Sequence, residues 1–360
     1  MKLGKPWRGI GLAAAAALFA CGGGERTPPM TAERTPLIPI DSVALDESRS
    51  GSVLHRPNRV YGDDRGEILV SEFTSATVVR FDRGGRFLGS IGRAGRGPGE
   101  FVTPAMIAPL GDTLVVFDVG RREAQLFARD GVFLDSTFPI PFIANDVAVT
   151  DEAVWVTGIA FDSPWTALRW DRSTGRTSWS LPKPVEWARH PLLASLGGGH
   201  VAFHGDSGWA VFSGLDRAIR LGAGTVDSGG SFPIPVRLRR GVPIDRVAAG
   251  EYRSPSELFA EGSGTADASA LPDGGLAVLF LDMTIDGAVR GGSYLLTTLA
   301  ADGTPTCIDI PPDLGEYVQV RPRLRGDTLL ALIQREHPEG SIRSIIKRWR
   351  IDPTACRAGP

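Results

Sequence analysis

All-β is the fold class that this 360-residue sequence predicts, arranged as a six-bladed β-propeller, and three observations predict it. Runs of Val, Ile, Leu and Phe alternate with tight turns, without helical periodicity. The chain holds 45 Gly and 27 Pro, about a fifth of its residues, which suits short strands better than long helices. One strand–turn–strand unit also returns six times, about every 45 residues.

The unit is clearest at Gly66-Glu-Ile-Leu-Val70. Its counterparts begin at Gly111, Glu152, Gly199, Gly274 and Gly326, at spacings of 45, 41, 47, 75 and 52 residues. A second strand follows most of them and ends in a turn rich in Asp and Gly, as in Val79-Arg-Phe-Asp82 before Gly84-Gly85. Four short strands per repeat match a propeller blade, because one such sheet needs neighbours to bury both faces. The unpartnered run Leu37 to Leu45 is expected to supply the outer strand of the last blade, closing the ring and removing an exposed edge.

In the first repeat, Phe81-Asp-x-x-Gly-x-Phe-Leu88 is followed by Ile91-Gly-x-x-Gly-x-Gly-Pro-Gly-Glu-Phe101. This pattern resembles the NHL repeat, and is especially similar to the six-bladed NHL-like propellers of bacterial lipoproteins. The resemblance is sharp over the first blade and part of the second, then fades to strand rhythm alone. The related gluconolactonase-type hydrolases and the amidating lyase built on NHL repeats place metal ligands on inner strands around the axis. The resemblance thus implies where a site would lie.

The 75-residue spacing marks an insertion at about 223–266, between the outer strand of blade four and the inner strand of blade five. Ser254, Pro255 and Glu257 are the N-cap, first and third positions of an expected helix within it. Strand count puts this insertion on the same face as the loop Gly92 to Phe101. That loop invites a phosphate-cradle reading but lacks the Lys-Ser/Thr ending of a nucleotide loop, so its glycines read as structural.

Residues 1–20 read as a signal peptide. Lys2, Lys5 and Arg8 precede an apolar run from Ile10 to Ala20, too short to span a bilayer. The ending Leu18-Phe19-Ala20-Cys21 resembles a lipobox, which implies lipidation of Cys21 and a bacterial cell-envelope location. Gly22 after the cysteine points to the outer membrane by analogy. Residues 21–36 read as a flexible tether, leaving 37–360 as the folded head. Losing three cations changes 39 Lys+Arg to 36 against 41 Asp+Glu, and no basic block suggests nucleic acid. Cys307 and Cys356 occupy similar places in consecutive repeats, expected to be too far apart for a bridge.

No serine-hydrolase elbow is present. His200 and His204, with Asp206 nearby, are the most metal-like cluster, but two histidines alternating with apolar residues are more often blade packing or surface. The expected inner strands offer Arg59, Asn145, Asp146, His190, Asp267, Gln319 and Arg321, a mixed polar set without the repeated ligands of a calcium or zinc site. With Arg239 and Arg240 of the insertion, these are the candidate binding residues. No cofactor or metal is expected. The expectation is an envelope binding or scaffold module for a protein, peptide or glycan, docking on the face with the insertion. The alternative is a metal-dependent, lactonase-like hydrolase or lyase. Three or more His or carboxylates converging on the axis would favour the enzyme, and an Arg-, amide- and aromatic-lined hollow the binding module.

Overall fold

The computed structural model describes residues 36–356 apart from 50, 64, 161–162, 195–197, 206, 223–224, 287–288, 313, 315–321 and 337–341. These residues form six four-stranded antiparallel sheets. β1 (Leu37–Ala44) comes first in the chain. Blade one is β2 (Pro57–Gly62), β3 (Ile68–Glu72), β4 (Thr77–Phe81) and β5 (Phe87–Ile91). Blade two is β6 (Pro104–Leu110), β7 (Thr113–Asp118), β8 (Glu123–Ala128) and β9 (Phe133–Pro139). Blade three is β10 (Ile143–Val149), β11 (Ala153–Ile159), β12 (Trp165–Asp171) and β13 (Thr177–Pro182). Blade four is β14 (His200–His204), β15 (Ser207–Val211), β16 (Arg217–Gly222) and β17 (Thr225–Pro233). Blade five is β18 (Ser263–Ala270), β19 (Leu276–Asp286), β20 (Val289–Leu299) and β21 (Pro305–Ile310). Blade six is β22 (Arg323–Arg325), β23 (Thr328–Glu336) and β24 (Ile342–Ile351), with β1 on the far side of β24. β2, β6, β10, β14, β18 and β22 pack in a cycle that returns to β2, which makes them the inner strands. The chain is an all-β, six-bladed propeller.

The core lies between blades, so second strands are buried on both faces. Leu114, Val115, Val116 and Phe117 of β7 are all buried, which is why such strands read as continuous apolar runs. Between blades two and three, Phe138 stacks on Trp170 with ring centroids 4.9 Å apart and planes 6° from parallel. Of the Trp-rich stretch in the middle of the chain, Trp155, Trp170 and Trp187 are buried, whereas Trp165 and Trp179 are exposed. The Asp of each Asp–Gly turn holds its turn closed. Asp82 Oδ1 accepts from the amides of Gly84 and Arg86, both at 2.9 Å.

β1 pairs antiparallel with β24, from Leu37 opposite Ile351 to Ala44 opposite Ile345. Arg348 grips Asp41 across the pair at 2.6 and 2.8 Å. Because β1 takes the outer place, the chain after β24 turns back as a short 3-10 turn, Pro353–Cys356, against β21. There Cys356 forms a disulfide with Cys307, Cα atoms 5.3 Å apart. At the equivalent outer positions expected from the repeats, these cysteines would be too distant to pair. That expectation fails because a segment from the other end of the chain fills the outer position.

The run Gly199 to Phe203, aligned above with second strands, is instead the inner strand of blade four, and β15 is its second strand. The β13–β14 connection carries α1 (Pro191–Ala194), and the insertion proper, from 234 to 262, carries α2 (Ile244–Ala248) and α3 (Pro255–Glu261). Ser254 caps α3 by accepting from the Glu257 amide at 3.2 Å, with proline in its first turn. Val247, Tyr252 and Leu258 share an apolar cluster with Trp187 and Leu193 of the β13–β14 connection. Asp309 of β21 fixes the start of the insertion, accepting from the amides of Arg237, Leu238 and Arg239 at 2.6, 2.9 and 3.2 Å. In the glycine-rich loop the place of an anion is taken internally, since Glu100 accepts from the Gly97 amide at 2.8 Å.

Candidate functional site

Inner strands carry a shared irregularity. A β-bulge interrupts the pairing of β2, β6, β10 and β18 with their second strands, passing over Asn58, Ala105, Asn145 and Ala266. Arg59, Met106, Asp146 and Asp267 are the residues that follow. Two of the bulge residues lock neighbouring blades together. Asn58 Nδ2 donates to the Ala105 carbonyl and Asn145 Nδ2 to the Gly199 carbonyl, each at 3.2 Å.

Five polar side chains from five inner strands meet on the axis: Arg59, Asp146, His200, Asp267 and Arg323. Arg323 Nη1 lies 2.9 Å from Asp146 Oδ1 and 3.0 Å from Asp267 Oδ1. Arg59 Nη2 donates to the Asn145 carbonyl at 2.5 Å, and its Nη1 stands 3.7 Å from Asp146 Oδ1. His200 Nδ1 is 2.8 Å from Asp146 Oδ2, and Nε2 is 3.4 Å from the Thr265 carbonyl, so both ring nitrogens face acceptors. Asp267 Oδ2 accepts from the Leu324 amide at 2.5 Å, while its Oδ1, though buried, makes no hydrogen bond. The side chains of His200 and Asp267 are fully buried.

The two carboxylates titrate in opposite directions. Burial alone would push Asp146 up, but Arg323, His200 and Arg59 outweigh it and hold the carboxyl well below its ordinary range. Burial raises Asp267, and the nearby Asp146 adds to the rise while Arg323 opposes it. Burial would lower Arg323, yet Asp146 and Asp267 raise it, so the guanidinium keeps its charge. Asp146, His200 and Asp267 could each offer a metal one ligand atom, and those atoms lie within 4.8 Å of one another. The guanidinium already bridges the two carboxylates, so the residues present do not fit a resident divalent ion.

Above this cluster a cavity of about 1140 Å³ is lined by the C-terminal halves of the inner strands and by the turns that follow them. Its floor includes Tyr61, Asp146 and Arg323, its walls are small and apolar (Ala108, Val147, Ala202, Ala268), and its mouth is charged. At the mouth Asp151, Glu152, Arg169 and Arg172 come from blade three, and Asp41, Arg325 and Arg348 from blade six. Arg325 donates to the Gly62 carbonyl and Arg169 pairs with Asp171 at 3.1 Å, so the rim is partly pre-ordered. Inner strands run from the fourth-to-first connections toward these turns. The cavity therefore opens on the face opposite the insertion.

The structure brings together four of the sequence candidates, Arg59, Asn145, Asp146 and Asp267. It separates His190, which lies before the short helix α1 (Pro191–Ala194) and accepts from the Leu192 amide at 3.2 Å. His190 was expected on an inner strand, but Val185–Arg189 and α1 are helical turns, and His200 takes the axial place. Arg239 is buried, with Nε 3.0 Å from Asp309 and the guanidinium 3.9 Å over the Phe280 ring, so it holds the insertion rather than presenting charge. Arg240 is likewise engaged, 3.0 Å from Asp282. Gln319, Arg321, Asp206 and Cys21 lie outside the described residues. Arg323 was missed, and its signal was its place three residues before the Gly326 run, where the strand rhythm allows a short inner strand.

No protein-family model matches the chain, and no curated protein matches it in sequence. Among solved structures it is similar to a protein of Bacteroides fragilis assigned as exported, at 11% identity and a TM-score of 0.59, covering 87% of this chain and 95% of that one. It is also similar to a DUF4221 family member from Bacteroides vulgatus, at 11% identity and a TM-score of 0.58, covering 87% and 97%. A virginiamycin B lyase from Staphylococcus aureus matches at 11% identity over 86% and 98%, with a TM-score of 0.49, too low to carry an argument. At these identities the likeness shows the fold, and the fold they share with this chain is the six-bladed propeller.

Proposed function

We propose that this chain is an NHL-like binding module of the bacterial envelope, tethered by a lipid on Cys21, which takes a charged segment of a peptide or protein into the axial funnel. One observation carries the reading. The acid–histidine cluster that could have held a catalytic metal is neutralised by its own arginines, while the cavity above has apolar walls and a mouth of mixed charge. Mixed Arg and Asp suit a peptide better than a glycan. Of the three aromatic residues lining the funnel, Tyr61 and Trp155 are buried and Phe203 is half-buried against Trp155, which leaves one partial ring face for stacking on sugars. The disulfide fits an oxidising compartment outside the cytoplasm, and a fold neighbour assigned as exported is in keeping with it. The docking face of this reading is the one onto which the cavity opens, opposite the insertion, in place of the insertion face expected from the sequence.

A metal-dependent hydrolase or lyase is the second reading: the convergence of Asp146, His200 and Asp267 meets the three-ligand condition set for it, and the Arg323 bridge between the two carboxylates is what weighs against it. Binding of the full chain to arrays of immobilised 15-residue peptides from envelope proteins, together with metal analysis, separates the two. The binding reading expects a subset of peptides to be retained, lost with His204→Trp at the mouth and kept with a substitution at Val236 on the insertion. Retention insensitive to His204→Trp, or a tightly held stoichiometric metal, would overturn it.

A further inference from the structure

We infer that the Arg323 guanidinium holds the place of a divalent cation on the axis, and that shortening this one side chain converts the cluster into a metal site. Its Nη1 bridges Asp146 Oδ1 and Asp267 Oδ1 at 2.9 and 3.0 Å, as an ion between carboxylates of blades three and five would. His200, from the blade between them, supplies a nitrogen donor, and the three ligand atoms lie within 4.8 Å of one another. Each ligand stands on a different inner strand fixed by its own ladder, so the donors are held in place without the ion. One nitrogen and two oxygen donors suit Zn²⁺ or Mn²⁺.

A second observation points the same way. Asp267 Oδ1 is fully buried and makes no hydrogen bond, so its contact with Arg323 is an ion pair of poor hydrogen-bond geometry. A guanidinium must aim its N–H groups, whereas a metal ion accepts lone pairs from any side. The arginine supplies the charge but leaves this oxygen under-coordinated. Without Arg323, two carboxylates face Arg59, whose Nη1 is 3.7 Å from Asp146, and the axis lacks the second positive charge that its burial demands. An ion has a way in, because Asp146 and Arg323 line the funnel. The inference holds whatever the funnel binds.

The test uses the full chain in detergent, stripped with chelator and titrated with ZnCl₂ or MnCl₂ by calorimetry, with bound metal measured by mass spectrometry. Arg323→Ala is expected to take up one ion per chain. At about 100-fold excess over Kd its melting temperature should rise by several degrees. The unaltered chain should take up none, and adding Asp267→Asn should weaken the new site at least about tenfold, the loss of one of three ligands. A folded Arg323→Ala that binds neither ion would overturn the inference, as would an unaltered chain that binds one equivalent lost with Asp267→Asn. If stripped Arg323→Ala does not fold, recovery of its native circular dichroism by either metal supports the inference. Failure of both metals to restore it, while Arg323→Lys folds, overturns it.

Discussion

Cys307 and Cys356 are bonded across 49 residues of sequence, tying the outer strand of blade five to the turn that follows blade six. The bond fastens the end of the chain next to the seam where β1 completes the ring. Closing a loop of that length restricts the unfolded chain by about 4 kcal/mol in the chain-entropy model. Cys356→Ser should therefore lower the melting temperature clearly, and reductant should lower the unaltered chain to the same value. Calorimetry with and without dithiothreitol checks both.

The two axial carboxylates should respond differently to neutralisation. Asp146, held below its ordinary value of 3.8, contributes stability that is present above that value and lost as pH falls through its folded value. Asp267, raised above 3.8, contributes stability present below that value and lost as pH rises through its folded value. Asp146→Asn should cost about 3–5 kcal/mol at pH 7, because it leaves Arg323 and Arg59 under-paired. Asp267→Asn should cost less, because removing a buried charge that its surroundings disfavour offsets the loss of the 3.0 Å ion pair with Arg323, and the asparagine oxygen can still accept from the Leu324 amide. Urea midpoints from pH 3 to pH 8 will separate them, the first variant losing its acid-side slope.

Arg239 and Asp309 bolt the insertion to blade five. Arg239→Met keeps much of the stem that lies against Phe280 but leaves Asp309 buried without its cation. A loss of about 3–5 kcal/mol is expected. Asp309→Asn in the same chain should recover part of the loss, because its oxygen can still accept from the three amides. A double-mutant cycle measures the coupling.

Gly85 lies in the β4–β5 turn at φ +83°, and a Cβ there would strike the Ala44 carbonyl at the end of β1. Gly111 has a similar positive φ of +61° with open space around it. Gly111→Ala should cost about 1 kcal/mol from backbone strain alone. Gly85→Ala should cost more and, by pushing β1 away from blade one, increase proteolysis within residues 37–44. Limited proteolysis followed by mass spectrometry reads that difference.

The blade count was legible because turn chemistry and strand rhythm are local, and Asp82 closes its turn with amides two and four residues away. Arg59, Asn145, Asp146 and Asp267 were legible because a polar residue in an apolar inner strand needs partners. His200 was misplaced onto a second strand because apolar runs look alike wherever they stand in a blade. Arg323 escaped notice because three residues are too few to show a period.

By itself the sequence determined the all-β class, the six repeats, the insertion and the polarity of the axial positions, all of which depend on residues near one another along the chain. Tertiary structure alone decided that Cys307 meets Cys356, that the funnel opens opposite the insertion, and that Arg323 sits between Asp146 and Asp267. These are relations among residues 49 to 177 positions apart, set by the curvature of the ring. That curvature is what turns a histidine and two carboxylates from a candidate metal site into one already occupied by an arginine.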